Sequence, residues 1–387
     1  MRLASFNVEN LFERARAMNL ATWREGRPVL AAYERFHRLA QLDTYTDEVK
    51  ATMVEDLRTM RVLVRTDTSD GRLLKLNREP RPRWARLREN RGQFVRQPRQ
   101  GDAVIVAGGR DDWIGWVELA TDTVDEVAIH MTARVIEDAG ADVLAVIEAE
   151  NRPALVRFNE ALLDDRYAHV MLVEGNDPRG IDVGIMTGDG YRIASIRSHV
   201  DDPDPELPGV RLFSRDCPVY EVWTPSGETV WVLVNHLKSQ SWTSGDPDPL
   251  RRRQAARIME IYGELVASGA EHVAVVGDLN KAPPPYPSLE PLLGPDSPLV
   301  DSATLPGYRS GPRPGTFQSC GERNRLDYIL LSPALAERMT GGGVVRDGLW
   351  GGARNKNPPR HWDVYPQIRR VEHSASDHAL IYVDLDV

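Results

Sequence analysis

Residues 272–280 read His-Val-Ala-Val-Val-Gly-Asp-Leu-Asn, an apolar run that ends abruptly in polar side chains. The part from 272 to 276 is rich in valine, which is typical of a buried strand. Asp278 and Asn280 follow it directly, where a strand gives way to a loop. Functional side chains concentrate on such loops because the rigid strands behind them fix their positions. The stretch therefore predicts a buried strand that presents Asp278 and Asn280 at a functional site.

Polar side chains follow or interrupt five other apolar runs along the chain. They are Asn7 with Glu9 and Asn10, Glu148, Asn235 with His236, Asp327, and Asp377 with His378. Each cluster alone has an ordinary explanation, because a strand-end aspartate usually caps or forms a turn and a glutamate often pairs with an arginine. Their joint occurrence favours a single polar site built from several distant segments.

The residue types in these clusters fit the hydrolysis of a phosphate ester. Mg²⁺ prefers oxygen ligands and keeps several waters, so Glu148 and one aspartate suffice to hold it. A second aspartate can deprotonate or orient the attacking water, and histidines can donate hydrogen bonds to the phosphate as charge builds. The sequence contains no Gly-x-Ser-x-Gly, His-Glu-x-x-His or Walker motif, which excludes several competing chemistries.

Seven short motifs occur in order between the two ends of the chain. They are Phe-Asn-Val-Glu-Asn (6–10), Val-Ile-Glu-Ala-Glu-Asn (146–151), Ser-Arg-Asp (214–216), Asn-His-Leu-Lys-Ser (235–239), Gly-Asp-Leu-Asn (277–280), Leu-Asp-Tyr-Ile (326–329) and Ser-Asp-His (376–378). This set resembles the endonuclease/exonuclease/phosphatase superfamily, the group that includes DNase I and the exonuclease III-type repair enzymes. The resemblance implies an α/β fold, a four-layer α/β/β/α sandwich with two packed mixed sheets, and a Mg²⁺ or Mn²⁺ site. The mixture of helices with many strands is itself consistent with helices packed outside two sheets.

The resemblance also implies roles for individual residues around the metal and the water. Glu148 resembles the family's principal metal ligand, with Asn7 beside it. Asp377 matches a residue that contributes to the metal or hydrogen-bond network. Asp278 resembles the residue that activates or orients the water, and Asn280 the one that steadies the phosphate.

Other motifs match family residues that face the phosphate. His378 resembles the histidine that contacts the scissile phosphate, and Asp327 the acid that orients this histidine or joins the metal site. His236 matches a second phosphate-facing histidine, and the adjacent Asn235 is placed with it on the substrate side. Arg215 matches a phosphate-binding arginine.

The stretch Gly-Asn-Asp-Pro-Arg-Gly-Ile-Asp-Val (175–183), together with Asn-His-Leu-Lys-Ser, is most similar to bacterial nuclease-type members of the superfamily. This likeness implies that Arg179 and Asp182 lie in a loop on the substrate side. An ordinary turn explains Asn-Asp-Pro equally well.

The segment 61–119 departs from the family pattern, since it places the first motif and Glu148 about 140 residues apart. Short alternating or β-branched runs separated by Gly, Pro and Arg predict a small β-rich insertion there. The catalytic domain is then expected to consist of 1–60 and 120–387.

The predicted insertion is also basic, because residues 61–100 hold twelve basic and four acidic side chains, a local charge of +8. It contains the aromatic residues Trp84, Phe94, Trp113 and Trp116. Arginines with aromatic side chains can track a phosphate backbone and stack bases. A solvated basic face on a small subdomain explains the same composition equally well.

The composition of the 387 residues is ordinary for a globular protein, with 41% hydrophobic and 27% charged residues and a net charge of −9. Met1 leads directly into an apparent strand, without a signal-peptide pattern, and no apolar run reaches the roughly 18 residues of a membrane span. We therefore expect a soluble cytoplasmic protein, with secretion left open if the N-terminus has been trimmed. Cys217 and Cys320 show no metal-type spacing and are expected to be buried or half-buried thiols.

The sequence thus predicts a divalent-metal-dependent phosphodiesterase, and most of all a nuclease whose partner and substrate is DNA or RNA. One alternative is a phosphodiesterase or phosphatase of a small molecule or lipid headgroup, since the superfamily hosts these activities too. The other is a binding protein with a decayed active site, against which the intact set of polar residues speaks. The oligomeric state is left open.

Overall fold

The chain forms two compact units. The computed structural model describes residues 1–18, 20, 23–68, 71–77, 84–177, 179–239, 246–282, 287–351 and 361–387. The first unit, called the sandwich unit below, consists of Met1–Phe12, Val124–Gln240 and Asp246–Val387. The second, called the insert unit below, is built mainly from Glu13–Thr123.

Strands and helices are distributed along the whole chain. The strands are β1 (Arg2–Asn7), β2 (Glu13–Ala15), β3 (Leu63–Thr68), β4 (Gly71–Leu76), β5 (Ala85–Leu87), β6 (Val95–Arg96), β7 (Val104–Ile105), β8 (Val117–Leu119), β9 (Thr121–Thr123), β10 (Val143–Ala149), β11 (His169–Val173), β12 (Asp182–Thr187), β13 (Arg192–Arg197), β14 (Val219–Trp223), β15 (Thr229–His236), β16 (Val273–Asp278), β17 (Val300–Asp301), β18 (Tyr308–Arg309), β19 (Asp327–Leu331), β20 (Met339–Val345) and β21 (Leu380–Leu385). The α-helices are α1 (Trp23–Ala40), α2 (Asp47–Thr59), α3 (Glu126–Ala139), α4 (Arg152–Leu162), α5 (Asp248–Ala267), α6 (Glu290–Leu293) and α7 (Pro333–Glu337).

The sandwich unit contains two large mixed sheets. The first has the strand order β11-β12-β10-β1-β21-β20-β18, and the second has the order β13-β14-β15-β16-β19-β17. In the first sheet β1 lies parallel to β10 and antiparallel to β21. In the second, β16 lies parallel to β15 and antiparallel to β19. The predicted mixed α/β class with two mixed sheets is therefore confirmed.

Side-chain alternation along the central strands divides the interior of the sandwich unit into separate cores. Val143 and Ala145 of β10 belong to an apolar cluster that also holds side chains of the second sheet. Leu144 and Val146 instead join a cluster with α3 and α4, because successive strand residues point to opposite faces. A strand buried on both faces reads as the continuous apolar run seen in the sequence. The expectation of four stacked layers goes beyond these contacts and stays a prediction.

Helix α3 begins at Glu126, shortly after strand β9, which pairs with β2. Asp125 is the cap, whose carboxylate accepts the N–H of Val127 at 2.9 Å. Gly140 ends the helix in the left-handed conformation with φ 61°, which glycine adopts without strain.

The boundary between the units also differs from the expected 61–119 insertion, since the insert unit already includes α1 and α2. The apolar faces of both helices account for this difference. Phe36 of α1 and Met53 of α2 are buried in one core with Leu63 of β3 and Val117 of β8. These helices therefore complete the core of the insert unit, since sheets of only two strands cannot bury a core alone.

The aromatic residues of the insert unit have different exposures. Phe94 and Trp113 are buried, and their rings stack with centroids 4.1 Å apart. Both are therefore core residues and are unavailable to stack on bases, whereas Trp116 is 49% exposed. Among the arginines of the basic stretch, Arg78, Arg81 and Arg83 lie outside the described residues.

Both cysteines are buried free thiols, as expected. Burial raises the pKa of Cys217 well above its usual range. None of the helices in the described ranges combines the length and the apolar character that a bilayer crossing requires.

Candidate active site

The loop after β1 and the end of β10 meet through their backbones. The N–H of Asn10 donates to the carbonyl of Glu148 at 2.9 Å. Glu148 has φ 64° and lies at a register shift between Ile147 and Ala149, the geometry of a β-bulge, which re-aims a side chain. Glu9 and Asn10 also have positive φ values, 50° and 62°. Such conformations are costly outside glycine and cluster at functional sites.

Asp278 ends β16 in the middle of the second sheet and is 2% exposed. Its Oδ1 accepts the N–H of Asn280 at 2.8 Å, and Asn280 itself has φ 54°. Gly277 before it has φ 129°, and a Cβ there would lie 1.9 Å from the carbonyl oxygen of Asn235. Only glycine therefore fits between the buried strand and the residue that the strand presents.

Three other strand ends bring polar groups to the Oδ2 atom of Asp278. Asn7 Nδ2 donates to it at 3.3 Å. His236 Nε2 lies 3.6 Å away, and His378 Nε2 lies 3.8 Å away. His236 Nε2 is also 3.5 Å from Glu148 Oε1, so five residues predicted from separate motifs share one cluster.

His378 is held by a carboxylate and an aromatic ring. Its Nδ1 lies 2.9 Å from Asp327 Oδ2, and both side chains are buried. The Phe317 ring packs against the imidazole with centroids 4.8 Å apart. Asp327 and Asp278 raise the pKa of His378 well above its usual range, which outweighs its burial. The two carboxylates therefore favour the protonated imidazolium form of His378, whose Nε2 lies on the side of Asp278.

The surroundings of His236 favour the neutral imidazole instead. Arg215 Nη2 lies 2.8 Å from its Nε2, and because a guanidinium only donates, that nitrogen must be the unprotonated acceptor. Burial, with the nearby Arg215 and Arg179, lowers the pKa of His236 well below its usual range. The surroundings thus favour the protonated form of His378 and the neutral form of His236.

Asp177 anchors the two arginines on this side of the cluster. Its carboxylate accepts Nε and Nη2 of Arg179 at 2.9 and 2.6 Å, and it lies 3.4 Å from Nη1 of Arg215. The two guanidinium groups keep the pKa of Asp177 below its usual range even though burial opposes them. Arg215 is 2% exposed, so its position is set by this pair and by His236.

Burial raises the pKa of Asp278 to about 7, and the neighbouring Asp327 and Glu148 add to this effect. A carboxylate with this pKa can hold or release a proton near neutral pH, as a general acid or base must. The ligand atoms of Asp278, Asp327 and His378 lie within 4.8 Å of one another. Buried carboxylates this close to one another favour a cation or a shared proton.

The other predicted site residues lie at different distances from this centre. Asp377 Oδ1 is 3.9 Å from His378 Nε2 and its side chain is 38% exposed. Asn280 Nδ2 donates to the Leu237 carbonyl at 3.2 Å. Asp182 Oδ1 instead accepts the N–H of Gly175 at 2.7 Å. It orders the loop that carries Asp177 and makes no described contact with the cluster.

Asn235 points away from the cluster that its neighbour His236 joins. Its Nδ2 donates to the Leu233 carbonyl of the same strand at 3.0 Å. Adjacent strand residues face opposite sides, which accounts for the separation. Among the described residues, its prediction as a substrate-side residue finds no supporting contact.

Three residues that support the site are missed by the assignment of roles from sequence. Asp177 reads as a turn residue because Pro178 follows it. Ser376 Oγ donates to the Asn7 carbonyl at 2.6 Å and accepts the N–H of His378 at 3.0 Å. Glu150 Oε1 accepts the N–H of Phe12 at 2.6 Å. Ser376 and Glu150 lie inside the quoted motifs, and this position is the only feature of the sequence that could have identified them as supporting residues.

Comparisons with known proteins bear on the family and the fold. A family model described as Endonuclease/Exonuclease/phosphatase family matches residues 128–378. The mannosyl-6-phosphatase of Bacteroides thetaiotaomicron is similar in structure with a TM-score of 0.50 and 18% identity, over 67% of this chain and 90% of that chain. This likeness supports the fold alone. None of the curated protein sequences compared with the chain matches it.

Two further solved structures are similar to this chain, with lower TM-scores. Truncated TDP2 of Caenorhabditis elegans has a TM-score of 0.45 and 18% identity, over 66% of this chain and 90% of that chain. The catalytic domain of human Nocturnin has a TM-score of 0.46 and 16% identity, over 67% of this chain and 86% of that chain.

Proposed function

Because the chain belongs to the endonuclease/exonuclease/phosphatase family, whose members hydrolyse phosphoester bonds, we propose that it hydrolyses phosphodiester bonds with the help of a divalent cation. The observation that carries the proposal is the convergence of Glu148, His236, Asp278 and His378, which are linked in that order by successive contacts shorter than 4 Å. We further propose that the substrate is a nucleic acid, which the basic stretch 61–100 supports.

The donor set fits a hard cation such as Mg²⁺ or Mn²⁺, because oxygen ligands dominate it. Glu148 and Asn7 would hold the ion, with Asp377 in reach of the same cluster. Asn10 Oδ1 and Asp327 Oδ1 are buried oxygens without a hydrogen-bond donor among the described residues, and a cation with its waters would satisfy such atoms. When bound, the cation would polarise a phosphate oxygen and offset the charge of the carboxylates.

The protonation states of the surrounding side chains suit them to different roles in the reaction. Asp278, whose pKa is raised to about 7, orients the attacking water and accepts its proton. The imidazolium of His378, oriented by Asp327, donates from Nε2 to a phosphate oxygen as negative charge builds. Neutral His236 and the charged Arg215 give a second set of donors, since the Nδ1 of His236 has no partner among the described residues.

The test uses purified protein with Mg²⁺ or Mn²⁺ and a panel of possible substrates. The panel contains plasmid DNA, single-stranded DNA, RNA, a bis-aryl phosphodiester and aryl phosphomonoesters. We expect cleavage of the diester and of at least one nucleic acid, loss of cleavage in EDTA, and recovery on adding the cation. Cleavage of phosphomonoesters alone would contradict the proposed diester activity, and cleavage of the aryl diester alone would contradict the nucleic-acid substrate.

A matched pair of variants tests the role of Glu148. Glu148→Gln keeps the shape and removes the charge, so it should abolish most activity while the protein stays folded. Glu160→Gln makes the same change on the exposed side of α4 and should keep full activity. A folded Glu148→Gln protein with wild-type activity would overturn the assignment.

A further inference from the structure

The insert unit contains a groove lined by four arginines. Its volume is about 660 Å³, and Arg58, Arg61, Arg65 and Arg72 all line it. Glu55 is the one carboxylate in this lining, so the charged side chains of the groove sum to +3. The groove is made by the end of α2 and the β3–β4 hairpin, and it therefore belongs to this unit by itself.

Arg58 donates a hydrogen bond to Glu55 at 2.6 Å, whereas the acidic partners of Arg65 and Arg72 are exposed and loosely held. Arg72 Nε lies 3.7 Å from Asp67, with the two side chains 72% and 92% exposed. Arg65 Nη1 lies 4.0 Å from Asp102. Exposed ion pairs of this kind contribute little to stability. The carboxylates are therefore easily displaced by a multivalent anion, which would gain several guanidinium contacts at once.

The backbone holds Arg61 in a conformation that arginine rarely adopts. Arg61 has φ 59° directly after the helix end at Met60, a position where glycine is usual. Its N–H donates to the Arg58 carbonyl at 3.0 Å, and its carbonyl accepts Asn77 Nδ2 at 2.9 Å. Its guanidinium lies 6.0 Å from the Trp84 ring. Strained residues that are firmly held in this way are typical of binding sites.

We propose that this groove binds the phosphate backbone of a nucleic-acid strand, an inference that rests on the proposed function and adds a second contact region for the same substrate. The planar guanidinium fork matches phosphate oxygens in pairs. The C-terminal end of α2 carries a partial charge of about −0.5, which opposes an anion, but the groove charge of +3 outweighs it. Contacts to phosphate position a strand without reading its sequence.

The experiment compares two triple variants that lose the same charge. The groove variant carries Arg61→Gln, Arg65→Gln and Arg72→Gln. The control variant carries Arg86→Gln, Arg96→Gln and Arg99→Gln, all exposed arginines of the insert unit that do not line the groove. Binding of a labelled single-stranded 20-mer is measured by fluorescence anisotropy in EDTA, between 50 and 200 mM KCl, with folding checked by circular dichroism.

Three lost phosphate contacts should flatten the salt slope by about 0.7 each on a single strand. The affinity advantage of the wild type over the groove variant should then shrink about twentyfold between 50 and 200 mM salt. The control variant should keep the wild-type slope. Equal slopes for wild type and groove variant, or an equal loss in the control, would overturn the groove as the binding site.

Two further measurements separate this proposal from the proposed function. Hydrolysis of the bis-aryl phosphodiester should be the same for wild type and groove variant, because the small substrate needs no second contact region. A wild type that cleaves this diester but binds the 20-mer no better than the groove variant would end the groove proposal alone. In a competition measurement, the 20-mer should displace inorganic polyphosphate that is bound to the protein. Bound polyphosphate that the 20-mer does not displace would also overturn the groove proposal.

Discussion

Two sets of arginines in this molecule are held in opposite ways. Arg215 in the sandwich unit is 2% exposed and is fixed between Asp177 and His236. Arg72 in the insert unit is 72% exposed and has one loose, exposed partner. A buried, paired guanidinium gives a defined geometry at a high desolvation cost, whereas an exposed set supplies a local field. The first suits chemistry at one phosphate, and the second suits attraction of a long anion.

The largest effect is expected at the two groups that meet at the centre of the buried cluster. Asp278→Asn and His378→Ala should each lower kcat by about 10²–10⁴, the range for a lost acid–base group, with much smaller changes in KM. His373→Ala removes a half-buried histidine at the end of a short 3₁₀ helix (Val371–His373), bonded to Arg370 and not to the cluster, and should leave kcat near wild type. Steady-state kinetics with the bis-aryl phosphodiester measures all three, and a change confined to KM in either site variant would contradict its role.

A stability measurement tests the buried pair against the exposed pair directly. Asp177→Asn leaves the buried Arg215 without its countercharge and should reduce the free energy of unfolding by about 3–5 kcal/mol. Asp67→Asn removes the exposed partner of Arg72 and should change it by less than about 0.5 kcal/mol. Denaturant titration gives both values. Similar losses in the two variants would erase the distinction between the two sets of arginines.

Glycine at the end of β16 should matter more than glycine on a helix surface. Gly277→Ala puts a Cβ 1.9 Å from the Asn235 carbonyl oxygen and forces a positive φ on alanine, at a cost of about 1–3 kcal/mol. Gly263→Ala in α5 meets no atom within 4 Å and should stabilise by roughly 0.5–1 kcal/mol. Thermal melting decides the signs, and a stabilised Gly277→Ala protein would contradict the close approach of β15 and β16 at this point.

The last expected effect is a pH dependence of stability at Asp182. Burial raises its pKa to about 6, so the folded state holds the proton more tightly than the unfolded state does. The ionised group therefore destabilises the fold above about pH 6, and this cost disappears as the pH falls toward the unfolded pKa. Asp182→Asn is neutral throughout and keeps the acceptor for Gly175.

The Asp182→Asn protein should accordingly be more stable than wild type at pH 7.5 by roughly 1–3 kcal/mol. The difference should narrow as the pH is lowered from 7 to 5. Denaturation midpoints of both proteins at several pH values test this expectation. A difference that stays constant with pH would show that Asp182 does not titrate in this range.

The sequence predicted the centre of the candidate site because the end of a buried strand is visible as an apolar run followed by polar residues. Asn7, Glu148 and Asp278 each follow a continuous apolar run, and in the structure they lie at the ends of β1, β10 and β16. The same reasoning separated the chain at residue 61 instead of at Glu13, because α1 and α2 look like ordinary amphipathic helices. Which core such a helix packs against is a long-range property, and no local pattern carries it.

The sequence by itself determined many of the buried strands and the order of the polar motifs, since such patterns are local. The resemblance of those motifs to the family implied the two mixed sheets. Tertiary structure alone decided that Asn235 turns away while His236 faces Asp278, that Asp177 joins Arg179 to Arg215, and that four arginines share one groove. The opposite pKa shifts of His236 and His378 also arise from the tertiary structure. Their pKa values depend on desolvation and on charges from residues distant in the chain, and only folding brings those groups together.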